Sequence, residues 1–159
     1  MNILILDEAR SARRVLRYIL AAVNGLNTFE AATPPEARSA LQSQQIDAII
    51  ADIRLGTSLT DRRGLEFVRA IRDEGNQTSV VIVTSATDVG EIREAMRLGV
   101  EDYVLKDELS AQVILPIVRG LQSRLGLAES AAKSGSLPVA RRVGTAVIAV
   151  TFQTAARSD

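Results

Sequence analysis

The chain contains no cysteine and no histidine among its 159 residues. The first absence excludes disulfides and thiolate zinc sites, which suits a reducing compartment. The second excludes imidazole as a catalyst or as a metal ligand. Net charge is missing too: 19 basic and 19 acidic residues cancel, so no global field favours nucleic acid or an acidic membrane surface. The apolar runs are far short of a membrane span, and Met1-Asn2-Ile3 lacks the basic segment of a signal peptide. The internal Lys106-Asp107-Glu108-Leu109 matches an ER-retention tetrapeptide by chance, since it is not C-terminal. A soluble cytoplasmic protein, with no membrane or direct nucleic-acid partner, is the expectation.

What is present is globular: 47% hydrophobic and 24% charged residues, in a length that suits one ordinary domain with room for a tail. Ile3 to Leu6 is an all-apolar strand stopped by Asp7-Glu8. Ala12, Val15, Leu16, Ile19, Leu20 and Val23 then follow the spacing of an amphipathic helix, which Asn24-Gly25 ends. The opposite face carries Arg10, Arg13, Arg14 and Arg17, read as a solvated face or, more sharply, as a docking face for an acidic partner. Asn27 to Ala31 is a weaker strand, and Thr33-Pro34-Pro35-Glu36 reads as an N-cap and first turn of a helix reaching about Gln44.

Ile46 to Asp52 is a short buried-type strand that ends in a carboxylate. A long polar loop, Ile53 to Arg63, separates it from a helix over 64–72. Ser79 to Val83 is a β-branched strand meeting Thr84-Ser85, a helix spans about Val89 to Leu98, and Asp102 to Leu105 is a fifth strand ending at Lys106. The last helix holds Val113 to Leu125, with Pro116 either kinking it or marking its first turn. Five alternations of strand and helix with short links predict an α/β fold: a doubly wound, five-stranded parallel sheet in the flavodoxin-like style, helices on both faces. Residues 1–126 hold this domain. Residues 127–159 read as a linker-like tail, poorly ordered or a remnant of an output region, in which Thr145 to Phe152 forms at most one strand without a partner.

In such sheets ligands sit outside the carboxyl ends of the strands. Those ends carry Asp7-Glu8, Asp52, Thr84 and Lys106. Each alone is weak, since a carboxylate at a strand end is more often a turn or cap, Ser85 competes with Thr84 if the register slips by one, and Tyr103 suits a half-buried strand as packing. Together, three close carboxylates call for a compensating cation. A hard divalent ion such as Mg2+ takes one or two carboxylates and shares its shell with phosphate. A carboxylate beside Mg2+ and a lysine can act as a nucleophile toward a phosphoryl group, and Thr84 can then donate to a phosphate oxygen.

These residues, in this order and near this spacing, resemble the receiver domain of two-component response regulators. The stretch from Val83-Thr84-Ser85-Ala86 through Glu94-Ala95-Met96-Arg97-Leu98-Gly99 to Asp102-Tyr103-Val104-Leu105-Lys106 is especially similar. The resemblance covers about residues 1–125. It implies that Asp52 accepts phosphate from the phosphohistidine of a sensor histidine kinase or phosphotransfer protein, in a Mg2+-dependent reaction, and that partner interactions switch as a result. It implies Glu8 and Asp52 as the metal carboxylates, Asp7 binding directly or through water, and the Arg54 backbone carbonyl as a further ligand. Lys106 contacts the phosphate, and Thr84 and Tyr103 form the switch. The module is then no enzyme beyond its own phosphorylation and dephosphorylation. Its downstream protein partner, and whether phosphorylation drives a homodimer, stay open.

Three departures bear on mechanism. Asp107 stands where the family has a cis proline after the lysine. A non-proline cis bond costs about 2.5–4 kcal/mol, so this loop is either rebuilt or held under strain. The loop after Asp52 is long, lacks the family's common proline and is placed to cover or gate the site. Arg54, two residues after Asp52, is placed to contact attacking water or the phosphoryl donor. The expectation is an altered phosphate lifetime with acceptance retained. The alternative is a phosphorylation-independent interaction module on the same fold.

Overall fold

Five of the chain's apolar runs pair side by side and in parallel. In the computed structural model, residues 1–58, 60–134, 139–143 and 146–150 are described, with side-chain surroundings through residue 126. The strands are β1 (Asn2–Leu6), β2 (Asn27–Ala31), β3 (Ala48–Ala51), β4 (Ser79–Thr84) and β5 (Asp102–Leu105). They form one sheet in the order β2-β1-β3-β4-β5, the flavodoxin-like order that the alternating pattern predicts. Between and after them lie α1 (Arg10–Leu20), α2 (Pro34–Ser43), α3 (Arg63–Asp73), α4 (Val89–Arg97) and α5 (Ala111–Ser134).

The register decides what meets at the strand ends. Leu6 of β1 lies opposite Ala51 of β3, so Asp7 and Asp52 leave the sheet side by side. Thr84 of β4 lies opposite Leu105 of β5, which brings Lys106 out beside Thr84. Short bonds hold this edge: the Asp52 N–H donates to the Leu6 carbonyl at 2.8 Å and the Lys106 N–H to the Thr84 carbonyl at 2.9 Å.

Pleating splits the strand side chains between two faces. Leu4, Leu6, Ile49, Ala51, Val80 and Ile82 share one buried cluster with Leu65, Val68 and Ile71 of α3, Ala37 of α2 and Ala95 of α4. The alternate residues Ile3, Ile5, Ile50, Val81 and Val83 are buried as well, as are Leu16 and Leu20 of α1 and Ile114 and Val118 of α5. Both faces are thus dry, which explains why the strands read as unbroken apolar runs.

The helix ends follow their local chemistry. The Thr33 hydroxyl accepts the Glu36 N–H at 3.4 Å while the Glu36 carboxylate accepts the Ala32 N–H at 2.8 Å, close to the reciprocal arrangement of a capping box. The Asp88 carboxylate caps α4 by accepting the Glu91 N–H at 3.0 Å. Gly75 and Gly99, at φ +83° and +70°, terminate α3 and α4 in the left-handed region. α1 stops at Leu20, earlier than its apolar spacing predicts. There the N–H groups of Ala22 and Val23 bond three residues back in a tightened last turn. α5 begins at Ala111, ahead of Pro116, so the proline is interior to the helix and not its first turn.

The chain divides into two compact units, Met1–Arg119 and Gly120–Asp159. In the second, α5 continues to Ser134 through residues whose composition reads as linker; Ala, Glu and Lys in that stretch are also good helix formers. The single unpartnered strand expected at Thr145 to Phe152 is corrected: β7 (Ala146–Val150) pairs antiparallel with β6 (Val139–Val143). Consecutive arginines, Arg141 and Arg142, break the apolar run of β6 and hide it from a reading based on hydrophobicity. Thr145, Thr151 and Phe152 lie outside the described residues.

Candidate functional site: the carboxylate–lysine cluster at the strand ends

Asp52 follows the last residue of β3, and at 6% exposure its carboxylate is nearly out of water. Asp7, after β1, is buried to 3%. Two buried carboxylates side by side repel, and the sequence supplies a cation between them. Lys106 Nζ lies 2.6 Å from Asp7 Oδ2 and 2.7 Å from Asp52 Oδ2. The remaining oxygens are held from below by the backbone: Asp7 Oδ1 accepts the Ala9 N–H at 2.8 Å and Asp52 Oδ1 the Arg54 N–H at 3.1 Å. Burial works against the Lys106 ammonium, but the hydrogen bonds it donates to Asp52 and Asp7 and their charges outweigh it, so its pKa stands above the ordinary lysine value.

Thr84 is fully buried, whereas Ser85 is exposed, which places the threonine and not its neighbour at this edge. Its hydroxyl oxygen accepts the Ala86 N–H at 3.2 Å. The Tyr103 hydroxyl donates to the carbonyl of the same Ala86 at 2.6 Å. Thr84 and Tyr103 are therefore tied to one buried residue of the β4–α4 loop. Burial, then the nearby Glu91 charge, pushes the Tyr103 phenol up to about 12.

Glu8 is placed differently from its neighbour. It is exposed, and its backbone carbonyl accepts from Arg13 Nη1 at 3.1 Å. Among the described residues no three acidic side chains come close enough to share a metal ion. The structure thus gathers Asp7, Asp52 and Lys106 and leaves the Glu8 carboxylate outside their hydrogen-bonded cluster. The peptide bond from Lys106 to Asp107 is trans, as no cis bond occurs among the described residues, so of the two conformations open to this loop the rebuilt one is found.

Three contributions were not legible as functional. Arg13, read as part of a solvated face, donates to the Asp7 carbonyl at 2.7 Å and pairs with Glu30 at 3.0 Å. It straps the acid-bearing turn to β2, and Arg17 joins Glu30 at 3.1 Å. The spacing of Arg13 and Arg17 by one helical turn was the available signal. Gly64, at the start of α3, passes so close to β3 that a Cβ there would lie 1.7 Å from the Asp52 carbonyl oxygen. Ala86 had no chemical signature at all, because its role is carried by its backbone.

Described residues of the loop after Asp52 pack against the core and α4. Ile53 and Leu55 are buried in the core cluster, and the Arg54 and Arg62 side chains turn to Glu91 and Glu94 of α4. Next to Asp7 and Lys106 a cavity of about 250 Å³ opens, walled by Ser11, Ala12, Val15 and Leu109. No helix among the described residues is long and apolar enough to cross a membrane.

Comparison with known proteins identifies the family of this fold. Residues 3–118 match the response regulator receiver domain. The chain is 31% identical over 123 residues to the alginate biosynthesis transcriptional regulatory protein AlgB of Pseudomonas aeruginosa, covering 77% of this chain and 26% of that protein. It is 32% identical to the Regulator of RpoS of Escherichia coli over 66% of this chain and 30% of that one. It therefore spans about a quarter to a third of the length of these relatives. Chemotaxis protein CheY of Pseudomonas aeruginosa is 30% identical over 72% of this chain and 90% of its own length. A response regulator receiver protein from Pseudomonas putida superposes with a TM-score of 0.65 at 29% identity, over 75% of this chain and 95% of that one. One from Pseudoalteromonas atlantica shares the fold with a TM-score of 0.68 at 19% identity, over 79% and 99%. With the strand order, the paired aspartates and the lysine already in place, the matched span leads to one conclusion: this chain belongs to the response regulator receiver domain family.

Proposed function

We propose that Asp52 is the phosphoacceptor of a two-component signalling step, with a histidine kinase or phosphotransfer protein as donor. The observation that carries this reading is the buried Asp7–Lys106–Asp52 cluster at the carboxyl edge of the sheet. An Asp52 carboxylate oxygen attacks phosphorus. The new P–O bond makes an acyl phosphate as the P–N bond to the donor imidazole breaks, and the leaving nitrogen takes the electron pair and then a proton. Lys106 follows the charge from the carboxylate to the phosphoryl oxygens, where it stabilises the loose transition state. Hydrolysis reverses the state: water attacks phosphorus, phosphate leaves, and the Asp52 carboxylate returns.

The residues present fit Mg2+. Asp7, Asp52 and the Arg54 carbonyl are oxygen donors of the kind this ion takes while keeping several waters, and the Lys106 ammonium already marks where a cation satisfies both carboxylates. Held by these oxygen donors, Mg2+ would help neutralise the phosphoryl oxygens.

Readout follows from the shared attachment to Ala86. A phosphoryl oxygen gives the Thr84 O–H a new acceptor, and movement of Thr84 pulls on the Ala86 N–H while Tyr103 holds the Ala86 carbonyl. The β4–α4 loop shifts, and a downstream protein reads the change on α4, β5 and α5. The module acts as a cytoplasmic switch and turns over no substrate other than its own phosphate.

Intact mass after incubation with Mg2+ and a small phosphodonor tests the reading. The parent is expected to gain one phosphoryl group and Asp52→Asn none. A parent that gains nothing, or a variant that gains equally, removes it in favour of a phosphorylation-independent interaction module.

A further inference from the structure

The loop after β3 carries a second cluster of charge that phosphoacceptance does not use. Arg54 Nη2 lies 3.4 Å from Glu91 Oε2, and Arg62 Nε lies 3.7 Å from Glu91 Oε1. Arg62 Nη2 also pairs with Glu94 Oε2, and Arg69 Nη2 pairs with Glu94 Oε1. Charges thus alternate along a row: Arg54, Glu91, Arg62, Glu94, Arg69. Three guanidiniums share two carboxylates by ion pairing in this row, so each of Glu91 and Glu94 is divided between two arginines. Arg69 has the Glu66 and Asp73 charges nearby as well.

Several features make Arg54 the least firmly held member. It occupies the end of the row nearest the acceptor, its own N–H resting on Asp52 Oδ1 at 3.1 Å. Its bond to Glu91, at 3.4 Å, is long, and its Nε is buried with no hydrogen-bond partner. Arg62 Nε is likewise buried without a hydrogen bond, and it faces the same Glu91 carboxylate. Glu91 is only 7% exposed, so it needs a counterion whichever arginine supplies it. A cavity of about 430 Å³ lined by Arg54, Thr60, Arg62, Asp88, Glu91 and Glu94 gives the side chains room to exchange.

We propose that Glu91 and Arg62 are positioning residues that hold Arg54 in reserve for the phosphoryl group. While Asp52 is bare, Glu91 keeps the Arg54 guanidinium against α4. A phosphoryl group on Asp52 draws Arg54 away, Glu91 passes to Arg62, and Glu94 passes to Arg69. Every charge in the row is then paired one to one, and the unsatisfied Nε groups gain partners. The exchange couples the acceptor loop to α4 by a route separate from Thr84 and Tyr103. It rests on Asp52 being the phosphoacceptor.

Beryllofluoride, a phosphoryl mimic, titrated with saturating Mg2+ and followed by calorimetry, tests the exchange. Glu91→Gln, close to isosteric, frees Arg54 and is expected to tighten binding by about threefold to tenfold, the range of a coupled ion pair. Arg62→Ala leaves Glu91 dependent on Arg54 and is expected to weaken binding by a similar factor. The double variant Arg54→Ala/Glu91→Gln is expected to match Arg54→Ala alone, and in the parent the Arg54 Nε–H resonance should move on binding. Unchanged or weaker binding in Glu91→Gln, or a gain that survives without Arg54, overturns the exchange alone. A parent that takes up no beryllofluoride in an Asp52-dependent manner overturns both the exchange and the phosphoacceptor reading.

Discussion

The carboxylate–lysine cluster and the Glu91 end of the arginine row meet at Asp52 and Arg54 and are built to opposite specifications. At Asp7, Asp52 and Lys106 the ion pairs are 2.6 and 2.7 Å long, and the carboxylates accept further backbone N–H groups. Around Glu91 the contacts stretch to 3.4 and 3.7 Å, and two arginine Nε atoms go without hydrogen bonds. The first arrangement fixes the Asp52 carboxylate in one geometry. The second leaves a charged side chain with somewhere else to go. Register makes the difference: the cluster hangs from paired strands, whereas the row spans a loop and two helices, α3 and α4.

The tight region should respond far more strongly to small changes. Gly64→Ala places a methyl group against the Asp52 carbonyl, 1.7 Å away before relaxation, and is expected to cost about 3 kcal/mol or more by overpacking. A urea midpoint within error of the parent would contradict so close an approach. Lys106→Met leaves two buried carboxylates facing each other and should cost about 2 kcal/mol, less than for a wholly buried pair, with added Mg2+ stabilising the variant more than the parent. The lysine's folded pKa lies above its ordinary value of 10.5. Its contribution is therefore complete below that pH and lost as pH rises through the folded value. Denaturant midpoints of parent and Lys106→Met should converge only in strong alkali; convergence near neutrality would break the comparison.

Tyr103 stands between the regions, bonded to Ala86 and close to Glu91. Its folded pKa is raised from 10.0 to about 12, so its contribution is complete below pH 10.0 and falls away toward about 12. The stability gap between parent and Tyr103→Phe should hold steady to pH 10 and shrink above it, and a gap flat through pH 12 would contradict the buried hydroxyl. The smallest effect belongs to the far end of the row, where the pair is close but solvent-exposed. Arg69 is largely exposed, and Arg69→Ala should leave the urea midpoint unmoved; a clear loss would mean that the row is as rigid as the acceptor cluster.

Much of the tight region was legible because it depends on strands. Apolar runs of strand length, each stopped by a reactive side chain, define a parallel sheet and the residues along its edge; the register that sets them side by side came with the structure. Glu8 shows the limit of that logic: adjacent carboxylates in sequence leave a strand in different directions, and only Asp7 turned onto Lys106. The loose region was illegible for a different reason. Arg62 and Glu91 are distant in sequence, neither sits at a strand end, and a long loop does not declare which helix it will lean on. Gly64 and Ala86 act through close backbone approach and backbone hydrogen bonds, which side-chain chemistry does not reveal. The β6–β7 hairpin escaped because its first strand carries two arginines.

The central claim is that phosphate resides on Asp52. Treating the protein with a small phosphodonor and Mg2+, reducing it with borohydride and reading the peptides by mass locates an acyl phosphate at residue level, since reduction converts that aspartate to homoserine. Homoserine at position 52, absent without the donor, is the predicted result. Homoserine elsewhere, or none after the protein has gained phosphate, would contradict the account.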